Sequence, residues 1–280
     1  MCVSVAEASF EGTIIYLAEV KIDGKVFNVL GYGNTARNLS NTPNAMLLHF
    51  PAVNVSGSNI LDVSEYREIL QDMKDITDFS GVGFSRMDEG RSFSSSVQFI
   101  QHGIYDILIA RNPKDIPAAL EQVAPEKRPP LRQELFDFYG EAFPDWPVAL
   151  CCFNNQDVKG SDPLFWFYEP QQIDTFVFPG IDSHDGSLPN LNQKVKRDQY
   201  LVFGSYQMPE NVGVSFCEKE DLSPHIQPYI ADRLVGFQVP NTPKFMRNGD
   251  FAVSKENAIA GKFNQETISS HQPAALMRAM

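Results

Sequence analysis

Residues 13–30, TIIYLAEVKIDGKVFNVL, decide the fold. Two apolar, partly β-branched runs, Thr13 to Val20 and Lys25 to Leu30, flank the turn-forming segment Lys21 to Gly24. Glycine adopts positive φ without steric cost, so Gly24 suits a tight connection. Branched and aromatic side chains fit the pleated surface of a strand. The stretch therefore predicts a β-hairpin near the start of the chain.

The rest of the chain predicts further strands around a helical middle. NAMLLHF at 44–50 is typical of a strand, and residues 81–96 are polar and rich in glycine and serine, which favours a loop. Apolar periodicity predicts helices over 62–77, with Asp62 as cap, and over 114–123 and 131–143. Two strands are predicted between the helices, at 96–100 and 105–110, and short aromatic strands follow them at 146–153, 164–168, 175–178, 200–205 and 212–216.

Together these elements predict an α+β fold, predominantly an antiparallel β-sheet or sandwich with a few helices in the middle of the chain. We expect a single globular domain over residues 1–240, and we weigh a sub-boundary near residue 144 below it. The last forty residues, 241–280, are polar and slightly basic. This C-terminal tail is expected either to fold back on the body or to wrap a partner.

The amino-acid composition argues against several classes of protein, including nucleic-acid-binding and membrane-spanning proteins. The chain has 280 residues, of which 43% are hydrophobic, and a formal net charge of -12. An acidic surface repels phosphate backbones, so we expect no nucleic-acid partner. The N-terminus lacks the pattern of a signal peptide, and no apolar run is long enough to cross a membrane, so no membrane insertion is expected. Four cysteines without zinc-site spacing suggest reduced thiols and a soluble, cytoplasmic protein.

Cys2 is the first candidate catalytic residue. If Met1 is removed, Cys2 carries a free α-amine, which can act as the base for its own thiol. Such an N-terminal nucleophile attacks amide-like bonds. The intact mass of the protein tests the first step, because retention of Met1 excludes this chemistry.

The second candidate lies in the segment 178–187, FPGIDSHDGS, where Asp182, His184 and Asp185 fall within four residues. In an extended segment, Asp182 and His184 share a face, which is ligand spacing for a divalent metal. The pair could instead orient the imidazole for acid–base catalysis, with Asp185 as a further catalytic carboxylate. The alternative is a plain turn, because aspartate and glycine favour turns.

Two functions follow from these observations. The first is a binding role, in which the protein engages a protein partner or a small molecule. The alternative is a hydrolase that uses Cys2 as nucleophile, or a metal-assisted hydrolase centred on His184, with His49, His102 and Glu169 available as further ligands. The sequence contains no nucleotide-binding glycine fingerprint and no other motif that names a cofactor.

Overall fold

A computed structural model describes residues 3–78, 97–155, 159–242 and 246–273. The predicted loop at 81–96 lies outside these residues. The strands are β1 (Val3–Ser4), β2 (Ala8–Ile22), β3 (Lys25–Asn38), β4 (Asn44–His49), β5 (Ile60–Leu61), β6 (Val97–His102), β7 (Tyr105–Ala110), β8 (Val148–Phe153), β9 (Lys159–Gly160), β10 (Leu164–Tyr168), β11 (Thr175–Phe178), β12 (Tyr200–Ser205), β13 (Val214–Ser215), β14 (Arg233–Gln238), β15 (Asp250–Ser254) and β16 (Ser269–His271). The α-helices are α1 (Ile69–Thr77), α2 (Ile116–Ala119), α3 (Gln133–Ala142) and α4 (Lys255–Ile259). The predicted α+β class is confirmed.

The hairpin of β2 and β3 is the longest paired unit of the fold. Ile22 pairs with Lys25, so the connection has only two residues, Asp23 and Gly24. Both have positive φ, 49° and 82°. Positive φ at both positions defines the turn whose twist matches that of antiparallel strands. The predicted hairpin is therefore present, and its strands extend well beyond the predicted limits.

Pairing among the described strands gives three sheets. The first has the order β1-β4-β8-β7-β6. The second has the order β13-β14-β12-β2-β3-β10-β5, with β9 added beside β3. The third is β11-β15-β16. The named strands pair antiparallel except β12 and β2, which run parallel. Strands from before and after residue 144 pair with each other in both large sheets.

The core has three parts that define layers. A central cluster joins the facing sides of all three sheets and includes Leu17, Trp166 and Phe251. The other face of the first sheet packs against α2 and α3. The other face of the second sheet packs against α1 and the turns near residue 226. The molecule therefore places its sheets between two outer layers of short helices and turns.

The helices are shorter than the periodicity predicts. Asp62 does not cap a helix: its Oδ1 accepts hydrogen bonds from the Ser64 backbone N at 3.0 Å and the Ser64 hydroxyl at 2.6 Å, which forms a local turn. The 3-10 turn that follows, Ser64–Tyr66, has Val63 at its N-cap position and no side-chain cap, and α1 begins only at Ile69. A short polar side chain that bonds its own neighbouring backbone favours a turn over a helix. The segment 114–123 is likewise divided between 3-10 turns and the short α2.

Residues 246–273 fold back onto the body, which is the first of the two alternatives for the C-terminal tail. β15 pairs with β11 on one side and β16 on the other. Phe251, Val253, Phe263 and Ile268 lie in the central core. Hydrophobic residues spaced by two in a short strand are too few to raise the mean hydropathy of the segment. The segment therefore looks polar in sequence although its apolar residues are buried.

The adjacent residues Cys151 and Cys152 on β8 are both buried, and they point into different core clusters. Successive side chains of a strand face opposite ways, as expected. Burial raises the pKa of the Cys152 thiol to about 12, with a smaller contribution from Asp106. Both thiols are free. No helix in the described ranges combines the length and the apolar character that a membrane span requires.

Candidate functional site

A row of buried polar side chains crosses four neighbouring strands of the second sheet. Ser205 on β12 is the Cα partner of Glu19 on β2. Glu19 pairs with Asn28 on β3, and Asn28 pairs with Tyr168 on β10. We call these four residues the polar row. Each is less than a tenth exposed. The row is the first sign of a specific site, because buried polar groups in a sheet need local partners.

The polar row lies on the face of the sheet that elsewhere forms the central core. Two residues before Glu19 is Leu17, and two residues after Asn28 is Leu30. Both leucines belong to the central cluster. Because side chains alternate along a strand, Glu19 and Asn28 point to the same side as these leucines. The apolar core face therefore ends at the polar row.

Glu19 is the most highly connected member of the polar row. Its Oε1 accepts a charge-assisted hydrogen bond from the ammonium of Lys255 on α4. Its Oε2 accepts from the Gln207 side-chain nitrogen at 2.7 Å and from the Ser205 hydroxyl at 3.2 Å. Hydrogen bonds that involve an ionised group are stronger than neutral ones. Glu19 thus connects β2 with the turn after β12 and with α4.

The other end of the polar row is Tyr168 beside Asn28. Burial raises the pKa of the Tyr168 hydroxyl, and the neighbouring Asn28 amide lowers it by less. A phenol in this setting stays protonated at neutral pH, so it contributes a dipole and no charge. The polar row therefore has a charged pair at Glu19 and, beside it, two neutral side chains, Asn28 and Tyr168, whose oxygens are buried.

A cleft of about 390 Å³ opens at the polar row. Its polar wall includes Glu19, Asn28 and Lys255. Val26 and Ile173 also line it, and Ile173 is 69% exposed. The lining is completed by Lys25, Phe27, Glu169, Pro170, Gln172 and Phe176. Cavities of roughly 300–1,000 Å³ with apolar walls and a few fixed polar groups are typical of small-molecule sites.

The structure brings Asp182 and His184 together, as the shared-face argument predicts. The His184 Nε2 lies 3.0 Å from the Asp182 Oδ1. The His184 ring also contacts Phe10 edge to face, with centroids 5.3 Å apart. Asn248 holds the Asp182 backbone in place through two hydrogen bonds. The imidazole is thus oriented by a carboxylate at a partly exposed position.

Asp185 stabilises a turn through hydrogen bonds of its side chain. Its Oδ1 accepts from the Ser187 backbone N at 2.9 Å and from the Ser183 hydroxyl at 3.2 Å. The hydrogen bonds from Ser187 lower the pKa of the Asp185 carboxyl. Gly186 follows with φ of 77°, and a Cβ there would lie 2.6 Å from the Val5 carbonyl oxygen. Only glycine fits this close approach, so the sequence SHDG specifies a turn at this position.

The further ligands considered for a metal at His184 lie elsewhere. His49 contacts Asp250, and the His102 Nε2 lies 2.9 Å from the Pro163 carbonyl oxygen. Glu169 lines the cleft. Across the described residues, no group of three or more His, Cys, Asp or Glu side chains has the arrangement of a metal site. Cys2, the other catalytic candidate, lies outside the described residues.

The contact between His49 and Asp250 is a buried pair that the sequence did not suggest. The His49 Nε2 lies 2.7 Å from the Asp250 Oδ2, and the two side chains are 3% and 0% exposed. The Asp250 Oδ1 accepts from the Gly180 and Ile181 backbone nitrogens. The cavity beside His49 measures only about 10 Å³, which is about the size of one water molecule. The pair therefore connects β4 of the first sheet with β15 of the third.

Sequence reasoning also missed the polar row and the cleft. One signal was available: Glu19 and Asn28 interrupt the apolar hairpin at positions that alternate with Leu17 and Leu30. A polar residue on the core-facing register of a buried strand indicates a partner or a site. The partner Lys255 could not be found from sequence, because it lies 236 residues from Glu19.

Comparison with known proteins gives only a distant likeness. No protein-family model and no curated protein matches the chain. Among solved structures, the chain resembles a class of viral protein from baculovirus. The particular matches are the crystal structure of baculovirus P35, with TM-score 0.43 and 15% identity over 72% of this chain and 67% of that chain, and a mutated baculovirus P35 after caspase cleavage, with TM-score 0.40 and 14% identity over 69% and 65%. At such low scores the likeness supports no functional assignment.

Proposed function

We propose that the protein acts by binding a small molecule in the cleft at the polar row. Of the two binding roles that the sequence leaves open, this cleft supports the small-molecule role. The observation that carries the proposal is that the core face of the second sheet ends in Glu19, which is paired with Lys255, beside an open space of about 390 Å³. The free, buried thiols of Cys151 and Cys152 support a cytoplasmic setting for this role.

The cleft suits a small molecule because its polar wall and its apolar wall contribute to binding in different ways. Glu19 and Lys255 hold each other in one geometry, so the polar wall is organised before any ligand arrives. Preorganised groups reduce the entropic cost of binding. Val26 and Ile173 add apolar surface, whose removal from water favours association. A site with these two properties can select a ligand by both shape and polarity.

The test uses three probes with the same aliphatic chain and different head groups: hexanoate, hexylamine and hexanol. Each is titrated into isotopically labelled protein while backbone amide signals are followed by NMR. We expect at least one probe to shift the signals of Val26, Phe27, Gln172 and Ile173 in a saturable way. Small ligands of this size bind weakly, with a Kd of order millimolar.

Two tryptophan variants make the test specific to the cleft. Val26 alternates with Asn28 along β3 and so points to the cleft side of the sheet. Val26→Trp is expected to fill the cleft and abolish the shifts. Leu39→Trp adds the same ring just beyond the far end of β3, where Leu39 is 43% exposed, and is expected to leave them unchanged. If no probe binds, or if binding survives Val26→Trp, the proposed function is wrong.

The hydrolase alternative retains one supporting observation, the 3.0 Å contact between His184 and Asp182. An oriented imidazole is a component of both acid–base catalysis and metal binding. Metal analysis of protein purified without chelator distinguishes a metal-assisted hydrolase from one that uses His184 for acid–base catalysis. Stoichiometric zinc that is lost in His184→Ala supports the metal version, and a metal-free protein with unchanged stability in EDTA contradicts it.

A further inference from the structure

The two charged groups of the polar wall differ in the hydrogen-bonding capacity they have left. Glu19 accepts from Lys255 on one oxygen and from Ser205 and Gln207 on the other. Its side chain is 4% exposed. A carboxylate only accepts, and both of its oxygens are occupied and shielded. Glu19 therefore offers a ligand little further acceptor capacity.

Lys255 has capacity remaining. An ammonium carries three N–H donors, and Glu19 takes one of them. Within the described part of the chain, no second acceptor contacts this ammonium. The Lys255 side chain is 27% exposed and lines the cleft. The charged group that remains open to a ligand on the polar wall is thus a donor.

The charged residues at the rim of the cleft do not change the preference for a ligand that accepts hydrogen bonds from Lys255. Lys25 and Glu169 are both exposed and carry opposite charges. Exposed charges interact weakly because water and salt screen them, and these two offset each other. Among the charged groups that line the cleft, the selection of a head group therefore falls to Lys255 on the inner wall; Asn28 on the same wall is neutral.

The geometry points to a small carboxylate with an apolar body as the ligand class of the cleft. Its carboxylate accepts hydrogen bonds from the Lys255 ammonium, and its body contacts Val26 and Ile173. Charge-assisted hydrogen bonds of this kind are the strong ones in proteins. This inference rests on the proposed function, because it names the ligand of the same cleft.

The three probes test the inference directly, because they differ only in the head group. We expect hexanoate to saturate the amide shifts at a concentration about tenfold lower than hexylamine does, with hexanol between them. If hexylamine or hexanol binds as tightly as hexanoate, the carboxylate inference is overturned while cleft binding stands. If none of the probes binds, the proposed function itself fails.

Variants at Lys255 locate the interaction. Lys255→Met is expected to weaken hexanoate binding about tenfold and to leave hexanol binding unchanged. Lys262→Met removes an equal charge from an exposed position just after α4 and serves as the matched control. Because Lys255→Met leaves Glu19 buried without its cation, the double variant Glu19→Gln with Lys255→Met is measured too. Hexanoate affinity that stays at the wild-type value in a folded double variant overturns the inference.

Discussion

Replacing Arg197 by methionine should destabilise the protein strongly. Arg197 is 1% exposed, and its guanidinium donates to the backbone carbonyls of Gly180, Arg247 and Gly249. It also lies over the Phe251 ring, with 4.8 Å between its Cζ and the ring centroid. These contacts join the loop after β11 to the loop before β15. Arg197→Met keeps most of the packing volume but removes every donor.

The expected loss of stability in Arg197→Met can be estimated from the three backbone carbonyls that lose their donor. A hydrogen bond to a charged group contributes about 1.5–3 kcal/mol. Against this stands the cost of burying the guanidinium, which also lowers the pKa of Arg197 to about 10. Each buried carbonyl left without its donor costs about 1–3 kcal/mol, and because loss of the buried charge offsets part of this sum, the net cost should be about 3–5 kcal/mol. We expect a loss of that size in the free energy of unfolding.

Urea unfolding followed by tryptophan fluorescence provides the assay, because Trp146 and Trp166 are both buried. Lys196→Met is the matched control, because Lys196 is next to Arg197 in the chain but its side chain is exposed. This control should change the free energy of unfolding by less than about 0.5 kcal/mol. Arg197→Lys keeps the charge but lacks the planar fork that reaches three acceptors, so we expect an intermediate loss. A loss below about 1 kcal/mol in Arg197→Met would refute the reasoning.

Two further predictions concern ionisable side chains. Burial, with nearby carboxylates such as Glu218, raises the pKa of Asp72 to about 6. The native carboxyl then holds its proton more firmly than the unfolded one, so stability falls as pH rises from about 4 to 6. Because Asp72 is partly exposed, we expect Asp72→Asn to raise the free energy of unfolding at pH 7 by only about 1 kcal/mol, and to give no gain at pH 4. Urea titrations at the two pH values measure this, and an equal gain at both would contradict it. In native protein treated with iodoacetamide, Cys217 should be alkylated well before Cys151 and Cys152, because it is exposed and they are buried; equal labelling rates in peptide mass spectra would show that β8 opens readily.

The local parts of the fold could be predicted from sequence, and the non-local parts could not. The hairpin of β2 and β3 depends on apolar alternation and on the turn at Gly24, which are properties of neighbouring residues. The contact between Asp182 and His184 likewise follows from their spacing of two in an extended segment. Such features are determined by φ and ψ preferences over a few residues.

The order of the sheets depends on which distant strands meet. β12 lies parallel to β2, although about 180 residues separate them. The ion pair between Glu19 and Lys255 spans 236 residues. Many pairings of aromatic strands satisfy the same alternation, so the sequence pattern alone does not select one. For this reason the polar row could be suspected from Glu19, but its cleft could not be located.

The position of β2 between β3 and β12 has a consequence for the growing chain. At roughly 5–20 residues per second, the ribosome would need about 10–40 s after completing β2 to finish β12. Until then the β2 edge of the hairpin stays open beside apolar side chains such as Ile15 and Leu17. An open edge of this kind readily pairs with another chain. Nascent chains that stall before residue 200 should therefore be prone to aggregate, and shielding by a chaperone during this interval should increase the yield of folded protein.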